Sequence, residues 1–135
     1  MAADGMTQHR NNKGWIGCDL DGTLAHYDHW RGVEHVGAPI WPMVTRVKDW
    51  LATGYRVKIF TARVYGVTGA ELTAVVGPIV KFLHSVGLPT LDITCVKDFH
   101  MIELWDDRAV QVIPNTGRTI ADELASERSA RAGTP

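Results

Sequence analysis

Short apolar runs alternate with amphipathic stretches along this chain, and that alternation limits the folds open to it. Residues 15–20, Trp-Ile-Gly-Cys-Asp-Leu, are apolar up to an acid and suit a buried strand. Residues 42–53 follow with Met43, Val44, Val47, Trp50 and Leu51 at helical spacing, Pro42 in the first turn and Gly54 as a stop. A second strand is predicted over 55–60 and a second helix over 70–86, with a kink or restart at Gly77-Pro78. Further apolar runs occupy 91–96, 102–105 and 109–113, the last reading as a closing strand, and 119–127 reads as a terminal helix. The order predicts an α/β fold, a mostly parallel central sheet with helices on both faces. Folds of that kind bind ligands beyond the carboxyl ends of their strands.

The size fits one such domain. A chain of 135 residues buries a single core, and 45% hydrophobic with 21% charged residues is ordinary for a globular protein. Residues 1–13 are predicted to be a flexible leader, 14–127 the folded domain and 128–135 a fraying tail. The formal net charge of −1 excludes an overall basic field that would draw in nucleic acid or an anionic membrane. No apolar run approaches the roughly 20 residues needed to span a bilayer. Cys18 and Cys95 sit in apolar stretches and read as buried thiols of a reducing cytosol. A cytoplasmic protein is expected.

The chemistry-bearing residues fall at predicted strand ends. Asp19 and Asp21 flank one residue and precede Gly22-Thr23. Two carboxylates so close repel, and burying both without compensation is costly. A divalent cation resolves the conflict, and Mg2+ favours carboxylates together with phosphate oxygens. An Asp-Gly turn is the plainer alternative for the dipeptide alone. Thr61 ends the second strand, where its hydroxyl could bond a phosphoryl oxygen or cap the next segment. Arg63 could fork a phosphate or lie solvated at the surface. Lys97 follows Asp-Ile-Thr-Cys-Val and could offset the carboxylates and hold phosphate, or equally be solvated. Lys58, inside a strand, and Lys81, mid-helix, fit that role less well. Asp106-Asp107 directly follow an apolar run and again suggest a cation.

Taken together, these four signals resemble the haloacid dehalogenase (HAD)-like hydrolase superfamily. Its first motif, Asp-X-Asp-X-Thr after an apolar strand, is matched by Asp19-Leu20-Asp21-Gly22-Thr23. Its strand-end Ser or Thr is matched by Thr61, its upstream Lys by Lys97 and its acid pair by Asp106-Asp107. The resemblance covers roughly residues 15–125 and implies a HAD-like Rossmannoid fold. It implies that Asp19 is a nucleophile forming an aspartyl-phosphate and that Asp21 transfers the protons. It implies Mg2+ held by the Asp19 side chain, the Asp21 backbone carbonyl and Asp106, with Asp107 close by or acting through water. Thr61 and Lys97 would hold the phosphoryl oxygens. A receiver-type domain shares an Asp, a Thr and a Lys, but there the acid pair would precede the phosphorylated Asp.

The gaps between motifs bear on access. Only 39 residues (22–60) separate Asp21 from Thr61, and 35 (62–96) separate Thr61 from Lys97. Neither gap has room for a cap domain, so an open site is expected, with residues 25–41 as its local lid or a subunit neighbour in a homo-oligomer. Tyr27, Trp30 and Trp41 of that loop could stack on a base or sugar. His26, His29 and His35 fit no structural zinc spacing and read as exposed loop histidines. The predicted function is a Mg2+-dependent phosphomonoesterase acting on a nucleotide, a polynucleotide end or a sugar phosphate. The alternative is a HAD-fold binding or regulatory module with little catalysis.

Overall fold

A computed structural model describes residues 14–133, so the predicted leader at 1–13 lies outside the described residues. The elements are β1 (Trp15–Asp19), α1 (Trp41–Ala52), β2 (Arg56–Phe60), a 3-10 turn (Ala62–Val64), α2 (Gly69–Ser85), β3 (Asp92–Thr94), β4 (Met101–Trp105) and α3 (Ile120–Ala132). The four strands form one sheet in the order β3-β2-β1-β4, with every pairing parallel. The fold is therefore α/β, a parallel sheet flanked by helices in the Rossmann-like manner.

Strand alternation explains the core. Ile16 and Cys18 of β1 point the same way as their register partners, Val57 and Ile59 of β2. Onto that face pack Val44, Val47 and Trp50 of α1 and Val75, Ile79, Phe82 and Leu83 of α2, in one apolar cluster. Each such side chain, fully buried, contributes about 1.5–3 kcal/mol relative to exposure. The other face carries Trp15 and Lys58 and is crossed by the chain between β3 and β4. Trp15 Nε1 donates to Asp98 Oδ1 at 2.8 Å, and the Lys58 ammonium lies 4.5 Å over the Trp15 ring. Lys58 is thus engaged away from the strand ends.

Three sequence expectations need correction. α2 runs unbroken through Pro78. The carbonyl that Pro78 leaves without an N–H partner belongs to Ala74, which is exposed to water, while buried Val75 and Ile79 hold the turns on either side. No strand forms at 109–113: Val112 makes a single bridge to Thr119, and Val110 and Val112 are 70% and 51% exposed. Pro114 and Asn115, at φ 65°, turn the chain back before a strand can develop, and no sheet edge runs alongside. The tail predicted to fray from 128 is helical to Ala132. Its residues are good helix formers, and the start is fixed by a capping box in which Thr119 and Asp122 bond reciprocally.

The order of strands positions the site. From β1 the chain moves outward to β2 and β3, then returns to place β4 on the opposite side of β1. That reversal opens a crevice between the carboxyl ends of β1 and β4, where ligands of such sheets bind. The interval 22–60 holds the loop, α1 and β2, and 62–96 holds the 3-10 turn, α2 and β3. No inserted cap is present among the described residues.

Candidate functional site

β1 ends on Asp19, and the chain turns at once. Gly22 adopts φ +90°, which strains any residue with a Cβ, and a Cβ there would lie 2.5 Å from Asp107 Oδ2. Glycine therefore serves both the turn and the approach of the acid pair. The turn returns Thr23, buried, beneath the carboxylates. The Asp107 amide donates to Thr23 Oγ1 at 3.0 Å, and the Thr23 hydroxyl reaches Asp19 Oδ2 at 3.3 Å and Asp107 Oδ1 at 3.4 Å. One hydroxyl thereby ties the end of β1 to the segment after β4. In sequence Thr23 stands out only as the last residue of the Asp-X-Asp-X-Thr motif, and that place is its one signal.

Asp19, Asp106 and Asp107 form a cluster, with one oxygen from each within 4.8 Å of the others. Burial, then a hydrogen bond shared with Asp107, then the charges of Asp106 and Asp107 push the Asp19 carboxyl up to about 7. Burial is the largest cause, the neighbouring carboxylates add to it, and a bound divalent cation would act in the opposite direction. The donors are all carboxylate oxygens, hard ligands of the kind a divalent cation takes. The Asp21 side chain is outside this cluster. Among the described residues no histidine joins such a group. His29 instead meets Asp28 at 2.9 Å.

The end of β2 supplies the facing wall. Thr61 is 2% exposed and caps the 3-10 turn, its Oγ1 accepting from the Arg63 amide at 3.2 Å. Accepting through oxygen leaves the hydroxyl hydrogen for another acceptor. The turn folds Arg63 back toward β1. Its Nε and Nη2 donate to Asp21 Oδ2 and Oδ1, each at 2.8 Å, in a bidentate fork. Nη2 also donates to the His35 carbonyl at 2.8 Å and Nη1 to that of Val33 at 3.2 Å. The Arg63 side chain is 4% exposed and that of Asp21 19%. Arg63 thus directs these four bonds to protein groups, an arrangement that sequence spacing alone does not suggest.

A cleft of about 660 Å³ joins these parts, lined among others by Asp19, Thr61, Trp30, Tyr65, Asp106 and Arg108. Lys97 is exposed and outside that wall. Arg108, next to the acid pair, is in it, although no sequence pattern singles it out. Cys95 also lines the cleft. Buried Cys18 is pushed up to about 12 by burial and then by the Asp19 charge, so its thiol stays protonated.

The loop between β1 and α1 is ordered at its base. His26 N donates to the Ala38 carbonyl at 2.7 Å and Ile40 N to that of Leu24 at 2.9 Å. Gly37 passes so close to the His26 carbonyl that a Cβ would overlap it. Tyr27 and Trp30 project from the tip into the cleft wall.

No family model and no curated protein matches the chain. A solved structure of a conserved protein from Bacteroides thetaiotaomicron is similar over 92% of this chain and 100% of that one, with TM-score 0.52 and 20% identity. At that identity the likeness bears on the fold alone. No helix among the described residues is long and apolar enough to cross a membrane.

Proposed function

We propose that the protein is a HAD-type phosphatase, a Mg2+-dependent phosphomonoesterase with Asp19 as nucleophile. The observation that carries this reading is the Asp19, Asp106 and Asp107 cluster at the strand-order reversal, whose Asp19 and Asp106 share a cleft with Thr61. An Asp19 oxygen attacks phosphorus as the bond to the leaving oxygen breaks, giving an aspartyl-phosphate. Asp21, entering in its protonated form, gives that proton to the leaving oxygen, then as the carboxylate takes one from the water that releases phosphate; its two-oxygen fork with Arg63 belongs to the carboxylate form. Thr61 donates to a phosphoryl oxygen, and Arg108 is the exposed cation of the cleft wall. Bound Mg2+ would neutralise charge on the phosphoryl group and on Asp19. The open cleft with aromatic Tyr27, Trp30 and Tyr65 suits a phosphorylated small molecule or a nucleic-acid end. A second subunit could complete it, and two cysteines without a disulfide suit the cytoplasm.

The test is phosphate release from nucleotides, polynucleotide ends, sugar phosphates and an aryl phosphate, with and without Mg2+. Activity that requires Mg2+ and vanishes in Asp19→Asn is expected; full activity in that variant would sink the mechanism. One observation favours a second reading, a binding module with little catalysis: Lys97 lies outside the cleft wall. Mg2+ binding without turnover across the panel would select it.

A further inference from the structure

We infer that Arg63 is a positioning residue that fixes the carboxylate of Asp21 and latches the tip of the 22–40 loop to it. The inference rests on the proposed role of Asp21 in proton transfer. It departs from the sequence expectation that Arg63 grips the substrate phosphate.

Three observations carry it. The guanidinium forks onto both oxygens of Asp21, so it sets their orientation as well as their charge. The same group donates to the carbonyls of Val33 and His35, two points on the descending limb of the loop. Its Cζ also lies 4.9 Å from the centroid of the Trp30 ring, on the ascending limb. Loop tip, arginine and Asp21 therefore form one hydrogen-bonded unit, and a shift of the loop carries the arginine with it.

Burial makes the unit strict in its demands. With a side chain 4% exposed, Arg63 has little water to replace a lost partner. Four of its five N–H groups are already directed at protein acceptors, which leaves a poor set for a bidentate grip on phosphate. A lysine in its place would keep the charge and lose the fork. Arg63 acts on the reaction through Asp21, by fixing where its two oxygens lie beside the cleft, and on access through the loop that carries Tyr27 and Trp30.

A double-mutant cycle tests this. Arg63→Ala, Arg63→Lys, Asp21→Asn and the double variants are assayed with Mg2+ on one phosphomonoester that the wild type turns over, per folded enzyme. Arg63→Ala is expected to lower kcat about 100-fold with KM changed less than about threefold. Arg63→Lys should fall between it and wild type. In the Asp21→Asn background neither Arg63 substitution should lower kcat further. A raised KM at constant kcat would make Arg63 a phosphate ligand and overturn the inference. Losses that multiply in the Asp21→Asn background would make it merely structural and also overturn it. If Arg63→Ala does not fold, Arg63→Lys carries the cycle. Limited trypsin digestion at Arg31 reads the latch without any turnover. Faster cleavage in Arg63→Lys supports it, and cleavage unchanged from wild type overturns it. An inactive wild type with Arg63-dependent cleavage would sink the phosphatase reading alone.

Discussion

The two halves of the site are built differently. β1 and β2 are the interior strands, each paired on both sides, and β3 and β4 are the edges. The residues just beyond the interior strands are buried and bonded: Thr23 to Asp19 and Asp107, Thr61 to the Arg63 amide, Arg63 to Asp21. Beyond the edge strands the first residues, Cys95 and Asp106, are half-buried, and Lys97, Asp107 and Arg108 after them are exposed. Asp107 is the instructive one, because its order comes from a hydroxyl of the interior half. Preorganisation is therefore inherited from the centre of the sheet, and the edge half is aimed by it.

The largest effect is expected at Asp19, at the end of an interior strand. Asp19→Asn should lower phosphate release at least about a thousandfold while the melting temperature holds or rises, since a carboxyl raised to about 7 is relieved of charge. Thr61→Val keeps the shape and deletes the hydroxyl; a kcat loss of about a hundredfold is expected. Gly22→Ala acts on both halves at once, through strain at φ +90° and overlap with Asp107. It should cost about 1–3 kcal/mol in denaturant melts and weaken Mg2+ binding. Wild-type stability and Mg2+ affinity in Gly22→Ala would show that the two halves are not coupled through this turn.

The pH dependence sharpens the same contrast. Asp19 binds its proton more tightly folded than unfolded, because burial and the neighbouring acids raise it from 3.8 to about 7. Its favourable contribution is complete below about pH 4 and is lost as pH rises through 7, so the cation-free protein should lose stability over that window. Mg2+ bound at Asp19, as proposed, would compete with that proton. Its affinity should rise up to tenfold per pH unit below about 7 and level off above. Melting with and without Mg2+ at pH 5, 6, 7 and 8 reads this directly. An equal Mg2+ increment at pH 5 and 8 would place the cation, if any, away from Asp19.

Sequence reaches the strand-end acids of both halves, Asp19 and Asp106-Asp107, and misses the contacts that join distant segments, for a physical reason. Asp19, Asp21 and Thr61 are legible because an apolar run fixes a strand and the strand fixes where its last side chain falls. The Arg63 to Asp21 fork spans 42 positions and the Thr23 to Asp107 bond 84, and no local pattern encodes either. At the edge the period misleads. Ala-Val-Gln-Val-Ile alternates like a strand at 109–113, yet a strand also needs a neighbour, and this segment joins none of the four strands, its bridge running from Val112 to Thr119. The helix beyond it is foreshortened in the sequence because the run past Glu127 is polar all round, although Ala, Glu and Arg favour helix whether or not a face is buried.

The smallest effects should lie in the edge half, and there the two cations divide. Arg108 sits in the cleft wall with Asp19 and Thr61, its amide donating to Asp106 Oδ1 at 2.7 Å, so its side chain starts from a fixed point. Lys97 starts from an exposed connection outside that wall. A charge that meets the phosphoryl group in the cleft strengthens binding, while one left in water is screened. Arg108→Ala should raise KM about tenfold at low salt, and Lys97→Ala less than about threefold. If the order reverses, the 95–100 connection must swing Lys97 over the strand ends when substrate binds, and the edge half would be assembled by the ligand instead of by the sheet.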